Sequence, residues 1–386
     1  MKKIIAIMMA LILCISMSAC DINNEKETKN KIPETLGKDF KWDHSMKLDY
    51  ATEFSVDYYK SDTTDGEYKL ITVANETQYL LLPKDGTVPK GLSKDIVMLH
   101  SPHQIYLVAS QVMDMMVSID ALDNLKFSAL KAEDWYIDEA KAQMESGKLL
   151  YAGKYSAPDY ELIIQKGCDL AIENTMIYHS PEVKEKLESF DIPVLVDRSS
   201  YESEPLGRTE WVKLYGVLTD HEEEAQVAFD DQIKKYKEIA SNDSNSAPTV
   251  AFFYVSANGD VKVRKSGDYL PKMIAMAGGR YIFSDLGSEE DNASSTVNMQ
   301  MEEFYKNVKN ADYMIYNSTI EGELTGVDDL LKKSELLSNT KAVKEGHVYC
   351  TSKNLYQSTM ELGTIISDIH KMLTNDEDMT YLYPLK

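Results

Sequence analysis

The chain has 386 residues, 43% of them hydrophobic, and its 63 acidic against 41 basic side chains give a formal net charge of −22 at pH 7. So negative a body is repelled by nucleic acid and by anionic lipid surfaces, which excludes both as the main partner. It suits a soluble body near a basic protein partner or a cationic solute, and the length allows two lobes of ordinary size.

The first twenty residues, MKKIIAIMMALILCISMSAC, carry two lysines, an uncharged apolar run, and small residues before Cys20. That run is short for a membrane span and is built like a secretory leader. SMSAC resembles the lipobox of bacterial lipoproteins, with Met17 where Leu is usual. The expectation is a leader over 1–19, removed before a diacylated Cys20, since two acyl chains hold a protein on a membrane stably. Residues 20–37 are polar and read as a tether reaching roughly 20 Å. Of the remaining cysteines, Cys168 and Cys350 each sit in an apolar strand-like run and are expected to be buried free thiols.

A lobe over 38–204 opens with a β meander: ATEFSVDYYK and EYKLITVA flank the turn-rich SDTTDGE, and TQYLLLP follows. From Asp95 the rhythm becomes strand–helix. DIVML precedes a helix expected at SPHQIYLVASQVMDMM, with Ser101 as N-cap and Pro102 at the first helical position. LKFSAL, the helix DWYIDEAKAQMES and the strand KLLYAG come next. In YSAPDYELIIQKGCDLAIENTMIYH, Ser156 reads as an N-cap. Tyr160, Ile163, Ile164 and Gly167 form the packing face, leaving Glu161 towards solvent. SPEVKEKLESFD and IPVLVDRS add a further helix and strand. A long helical segment over 205–243 follows, either one kinked helix or two around LTDHEE. The lobe over 244–386 repeats the rhythm with TVAFFYV, DVKVRK, YLPKMIAMAGG, RYIFS, MQMEEFYKNVKN, DYMIYN, VDDLLKKSELLS, HVYCT and a last helix from about Lys353. Short apolar runs between helices imply mostly parallel sheets covered on both sides.

This order resembles the solute-binding proteins of ABC importers for ferric siderophores, haem and cobalamin. APDYELIIQKGCDLAI is similar to that family's Glu-bearing short helix before a strand, with Gly167-Cys168 where Lys-Pro is commoner. IPVLV with PLGRTEW looks like the entry to the linking helix, and MIAMAGGRYIF like the Gly-Gly turn. MQMEEFYKNVKNADYMIY looks like a second Glu–helix–strand element, and TKAVKEGHVYCTS like the strand before the last helix. The resemblance implies an α/β fold of two Rossmann-like lobes joined by a long α-helix, the class III periplasmic-binding-protein fold, with the β meander added at the N-terminus. A continuous helix would allow only small closure motions.

It also implies a monomer on the extracytoplasmic face of the cell membrane, held by its lipid alone, that carries no covalent cofactor and catalyses nothing. It would bind a ferric siderophore, haem or cobalamin between the lobes and deliver it to a permease with basic docking residues. Glu161 on one lobe and Glu302 on the other, with Glu303 as the rival, are the matching docking carboxylates. The ordinary reading of a first-turn glutamate is a favourable charge on the helix dipole.

Open α/β sheets place ligands at the C-terminal ends of their strands. The loops there hold His100, His103, residues 173–179 and 198–204, Arg208, the segment near Arg264, and residues 353–356. Guanidinium groups and aromatic walls suit bulky anionic chelates, which selects Tyr178, Arg198, Tyr201, Arg264 and Lys353 as solute-binding candidates. For any of them the plainer reading is a solvated or ion-paired loop residue. Two alternatives remain. HSPH with His179 could bind a bare metal ion, and a cell-surface hydrolase would need a converging nucleophile and base, although HExxH, GxSxG, P-loop and GxGxxG patterns are absent from the sequence.

Overall fold

The computed structural model describes residues 36–239, 247–287, 296–376 and 378–386. The leader, Cys20 and nearly all of the tether lie outside them. The described residues hold two α/β lobes and an N-terminal sheet.

The N-terminal sheet runs Phe40–Ser45, Phe54–Ser61, Glu67–Val73 and Thr77–Leu81 as an antiparallel meander, and Val97–Leu99 adds in parallel. Alternation sends Phe54, Val56, Tyr58, Ile71, Val73 and Tyr79 to one face, where they share a core with Trp211, Leu214, Tyr215 and Phe229. Each such fully buried side chain contributes roughly 1.5–3 kcal/mol. The first lobe is a five-stranded parallel sheet in the order Val194–Val196, Leu170–Glu173, Ile105–Leu107, Leu125–Ser128, Leu150–Tyr151.

The second lobe orders Thr296–Met299, Val261–Arg264, Thr249–Val255, Tyr313–Tyr316, Val348–Thr351 and Leu382–Pro384, and Arg280–Tyr281 also pairs with Thr249–Val255. The three central strands are parallel, whereas Val261–Arg264, Thr296–Met299 and Leu382–Pro384 run antiparallel to their neighbours. Cys168 and Cys350 are free and buried.

Several local expectations are corrected. SPHQIYLV does not open a helix: Ser101 has φ +36° and Ile105–Leu107 is a central strand, because its side chains are apolar on both faces. The helix starts only at Val112. Ser156 lies in the turn of a hairpin between Gly153–Lys154 and Ala157–Pro158, and Asp159 caps the following helix by accepting from the Leu162 amide at 3.0 Å. On that helix Ile163 is buried but Ile164 is 46% exposed. RYIFS contributes only Arg280–Tyr281 as strand, and the last helix begins at Leu362 after turns over 353–361.

The linking segment is three helices, Pro205–Glu210, Val212–Thr219 and Glu222–Ile239. Asp220, left-handed at φ +63°, ends the second, and the third folds back along it. Gly216 permits that return, since a Cβ there would lie 2.6 Å from the Ala225 methyl and 2.8 Å from the His221 carbonyl oxygen. The helix is therefore broken at the point on which the expectation of stiffness depended.

Candidate functional site: the cleft between the lobes

A cavity of about 290 Å³ opens where the two lobes face each other. The first lobe lines it with Ser110, Gln111, Asn174, Thr175, Met176 and Ser200, which follow the C-terminal ends of its strands. Arg208 enters from the linking segment, and the second lobe brings Arg264, Asp268, Tyr269 and Tyr356.

Two guanidinium groups dominate the chemistry. Arg208 lies with its guanidinium carbon 4.0 Å from the centre of the Tyr269 ring, and its Nη1 donates to the Ser200 carbonyl oxygen at 3.1 Å. Arg264 ends the strand Val261–Arg264, lies 5.3 Å from the centre of the Tyr356 ring, and pairs with Asp268 at 3.5 Å. Tyr356 Oη accepts from Arg264 Nη2 and from Asn317 Nδ2, the latter at 2.8 Å. With two donors already pointing at its oxygen, the Tyr356 hydroxyl hydrogen is the group left to donate. The arrangement can therefore present fixed cations and a hydroxyl donor to an anion in a partly desolvated cleft.

The first-lobe wall is held from below. Gln111 Nε2 donates to Asp197 Oδ1 at 2.7 Å, and Tyr215 Oη donates to Asp197 Oδ2 at 2.5 Å. Burial pushes the Asp197 carboxyl up, while the Tyr215, Ser199 and Gln111 donors oppose that. Next to Asn174, Glu173 is wholly buried and neither of its carboxyl oxygens has a hydrogen-bond partner among the described residues. Burial pushes its pKa up to about 8. The lobes also bond directly: Asp114 accepts from the Met360 amide at 2.7 Å, and Gln357 joins the Tyr136 amide and the Asp134 carbonyl.

Of the five sequence-selected residues, Arg264 alone lines this cavity. Tyr178, Arg198 and Tyr201 come together beside it: Arg198 is bonded to Glu53 at 2.7 Å, stacks on Tyr201 at 4.2 Å and meets Tyr178. Lys353 pairs with Glu323 at 3.4 Å on the surface. The plainer reading, an ion-paired loop residue, describes Arg198 and Lys353. Arg208 and Tyr356 fell within the loops named from sequence without being singled out. The signal for Arg208 is its place at the helix entry PLGRTEW, three residues past the first helical proline.

Glu161, Glu302 and Glu303 are exposed in the first turns of the helices Tyr160–Gln165 and Met301–Val308, one on each lobe. His103 is taken by Asp169 at 3.0 Å. Among the described residues no group of three or more His, Cys, Asp or Glu side chains could hold a metal ion. A second cavity, about 370 Å³, lies at the opposite end of the first-lobe strands, lined by Lys69, Ser101, Pro102, Asn124, Asp220 and Glu222 among others.

A model of the periplasmic binding protein family matches residues 116–355, well over half of the chain. The chain belongs to that family. Solved periplasmic binding proteins share the fold. A periplasmic haem-binding protein of Pseudomonas aeruginosa superposes with a TM-score of 0.58 at 15% identity, covering 74% of this chain and 98% of its own. A possible iron-binding periplasmic solute-binding protein of Staphylococcus epidermidis gives 0.55 at 16%, covering 70% and 98%. A vitamin B12-binding protein of Vibrio cholerae gives 0.51 at 14%, covering 72% and 98%. Among curated sequences, an uncharacterized lipoprotein of Methanocaldococcus jannaschii is 25% identical over 97% of this chain and 93% of its own length. The periplasmic binding protein fold is thus the class III, two-lobed one, and the cleft just described occupies its interlobe position.

Proposed function

We propose that this periplasmic binding protein is the extracytoplasmic receptor of an ABC importer, anchored through a lipid on Cys20, and that it captures an anionic ferric chelate in the interlobe cleft. The observation that carries this reading is the pair of guanidinium groups, Arg208 and Arg264, each set against a tyrosine ring at one cavity. Charge-assisted bonds from arginine suit carboxylate, catecholate or hydroxamate oxygens. The cavity lies at the lower end of the range for small-molecule sites, roughly 300–1,000 Å³. Most of its described lining residues carry polar side chains, which favours a compact oxygen-rich chelate over the broad apolar macrocycle of haem or the bulk of cobalamin. Delivery follows by docking of Glu161 and Glu302 to basic residues of the permease, contacts that govern encounter and register more than affinity.

The test is an ultraviolet–visible and fluorescence titration of residues 38–386 with anionic and neutral ferric chelates, haem and cobalamin. Saturable one-to-one binding of an anionic ferric chelate supports the reading. Silence to all of these, with a response to a bare metal ion that His100→Ala removes, overturns it in favour of a metal-ion receptor.

A further inference from the structure

The N-terminal sheet lies before residue 116, outside the stretch that matches the family. Its link to the rest of the protein is unusual in kind. The segment joining the strands Phe40–Ser45 and Phe54–Ser61 has no ladder of its own for residues 49–53. Their amides turn instead onto two buried carboxylates. The amides of Asp49, Tyr50 and Ala51 donate to Glu210 at 2.9, 2.8 and 2.8 Å, and those of Thr52 and Glu53 donate to Glu202 at 2.8 and 2.9 Å. Glu210 is fully buried and Glu202 is 2% exposed. Lys213 Nζ and Trp211 Nε1 complete the two carboxylates at 2.8 and 3.0 Å. Each carboxylate is thus saturated by donors, the condition under which a buried charge is tolerated.

Glu202 lies just before the short helix Pro205–Glu210 and Glu210 is its last residue, and the helix's other contacts reach the second lobe. Arg208 stacks on Tyr269, Thr209 Oγ1 donates to the Thr359 carbonyl oxygen at 3.3 Å, and Glu204 just before the helix pairs with Lys272 at 2.6 Å. Gly207 sits against the segment itself: a Cβ there would lie 3.1 Å from the Tyr50 carbonyl oxygen and 3.3 Å from Glu202 Oε2. The same sheet grips the returning helix as well, since Tyr58 Oη donates to Glu222 Oε1 at 2.5 Å and Lys69 pairs with Glu222. That helix in turn meets the second lobe where Gln232 Oε1 accepts from the Gly363 amide at 3.3 Å.

We propose that the N-terminal sheet is a brace on the lobe junction, in which Glu202 and Glu210 are positioning residues that hold the Pro205–Glu210 helix, and through it Arg208 and the resting width of the cleft. The role of Arg208 in holding solute rests on the function proposed above; the brace itself does not. The linking segment is broken at Asp220, so its stiffness cannot come from one continuous helix. The sheet supplies it from outside, by fixing both the entry helix and the returning helix to one rigid surface.

The test reads the distance between lobes without any solute. Spin labels are placed at Lys166→Cys on the first lobe and Lys306→Cys on the second, both exposed positions, while the native Cys168 and Cys350 are buried. Pulsed dipolar spectroscopy then compares the parent with Glu202→Gln, Glu210→Gln and Gly207→Ala. Hydrogen exchange of residues 49–53 is followed alongside, with Glu182→Gln, an exposed carboxylate, as control. The brace predicts a narrow parent distribution that at least doubles in width, or shifts, in the three variants, with amide exchange over 49–53 faster by about tenfold or more. Gly207→Ala keeps the test open if a buried-carboxylate variant fails to fold. Faster exchange over 49–53 with an unchanged interlobe distribution would overturn the proposal, leaving these carboxylates as anchors of the sheet alone. A wrong solute assignment would leave these distances untouched and show only in binding.

Discussion

Arg208 and Tyr269 meet across the lobe junction, guanidinium over ring at 4.0 Å, with the arginine carried by the linking segment and the tyrosine by the first turn of a second-lobe helix. The contact ties the cleft's chemistry to its geometry, because a cation lining the cavity is also a point where the lobes touch. Burial pushes the Tyr269 phenol well above its usual range, so the ring stays neutral.

Arg208→Lys keeps the charge and loses the planar stacked fork. Affinity for an anionic ferric chelate is expected to fall about tenfold, in line with a stacking contribution of about 0.5–2 kcal/mol, with the melting temperature nearly unchanged. Titration of both proteins with one chelate checks this. Equal affinities would remove Arg208 from the site.

Arg198 makes the contrasting case. Its bond to Glu53 and stack on Tyr201 are internal to the first lobe. Arg198→Ala should leave solute affinity within about twofold while costing about 1–3 kcal/mol of stability, because Glu53 loses its charged partner. Denaturant unfolding and titration together separate the two effects, and a large loss of affinity at full stability would return Arg198 to the binding surface.

The contrast shows what the sequence could reveal and what it could not. The alternation in EFSVDYYK and the apolar runs TVAFFYV and DYMIY gave their strands directly, since a half-buried or fully buried strand leaves that imprint. QIYLVA reads as helix because a run that is apolar on both faces shows no strand alternation, and only its place in the middle of the sheet decides it. The cleft's position followed from topology, but its residues did not. Arg208 and Arg198 stand ten positions apart in similar surroundings, and which one reaches the cavity depends on Glu53, just before the strand Phe54–Ser61 and 145 residues away. The carboxylate clamps at Glu202 and Glu210 were invisible, because a glutamate that binds backbone amides of a distant segment leaves no periodic trace.

Glu173 should make stability fall as pH rises. Unfolded, its carboxyl titrates near 4.3; folded, burial holds it up to about 8. Between those values the unfolded chain has released a proton that the folded protein keeps, so raising the pH through this window favours unfolding. Glu173→Gln removes the penalty and should stabilise the protein by on the order of 5 kcal/mol at pH 8, with the gain vanishing near pH 4. Denaturant melts at both pH values test it. A gain that is the same at both would mean that ionisation of Glu173 is not its source.

Charge reversal at Glu161 and Glu302 together is expected to abolish uptake by cells while solute affinity stays within about twofold, because both side chains are exposed and neither lines the cavity. Glu303→Lys in place of Glu302→Lys tells which carboxylate of that turn docks. Lost affinity in the reversed protein would place these residues at the solute site and refute the docking role.

The most direct measurement is diffraction at the iron absorption edge from crystals of residues 38–386 grown with an anionic ferric chelate. The interlobe assignment predicts one anomalous peak between the Arg208 and Arg264 guanidinium groups, with chelate oxygens facing both. A peak at the loop holding His100 and His103, or in the cavity beside Lys69 and Glu222, would contradict it and move the solute site to the far end of the first lobe.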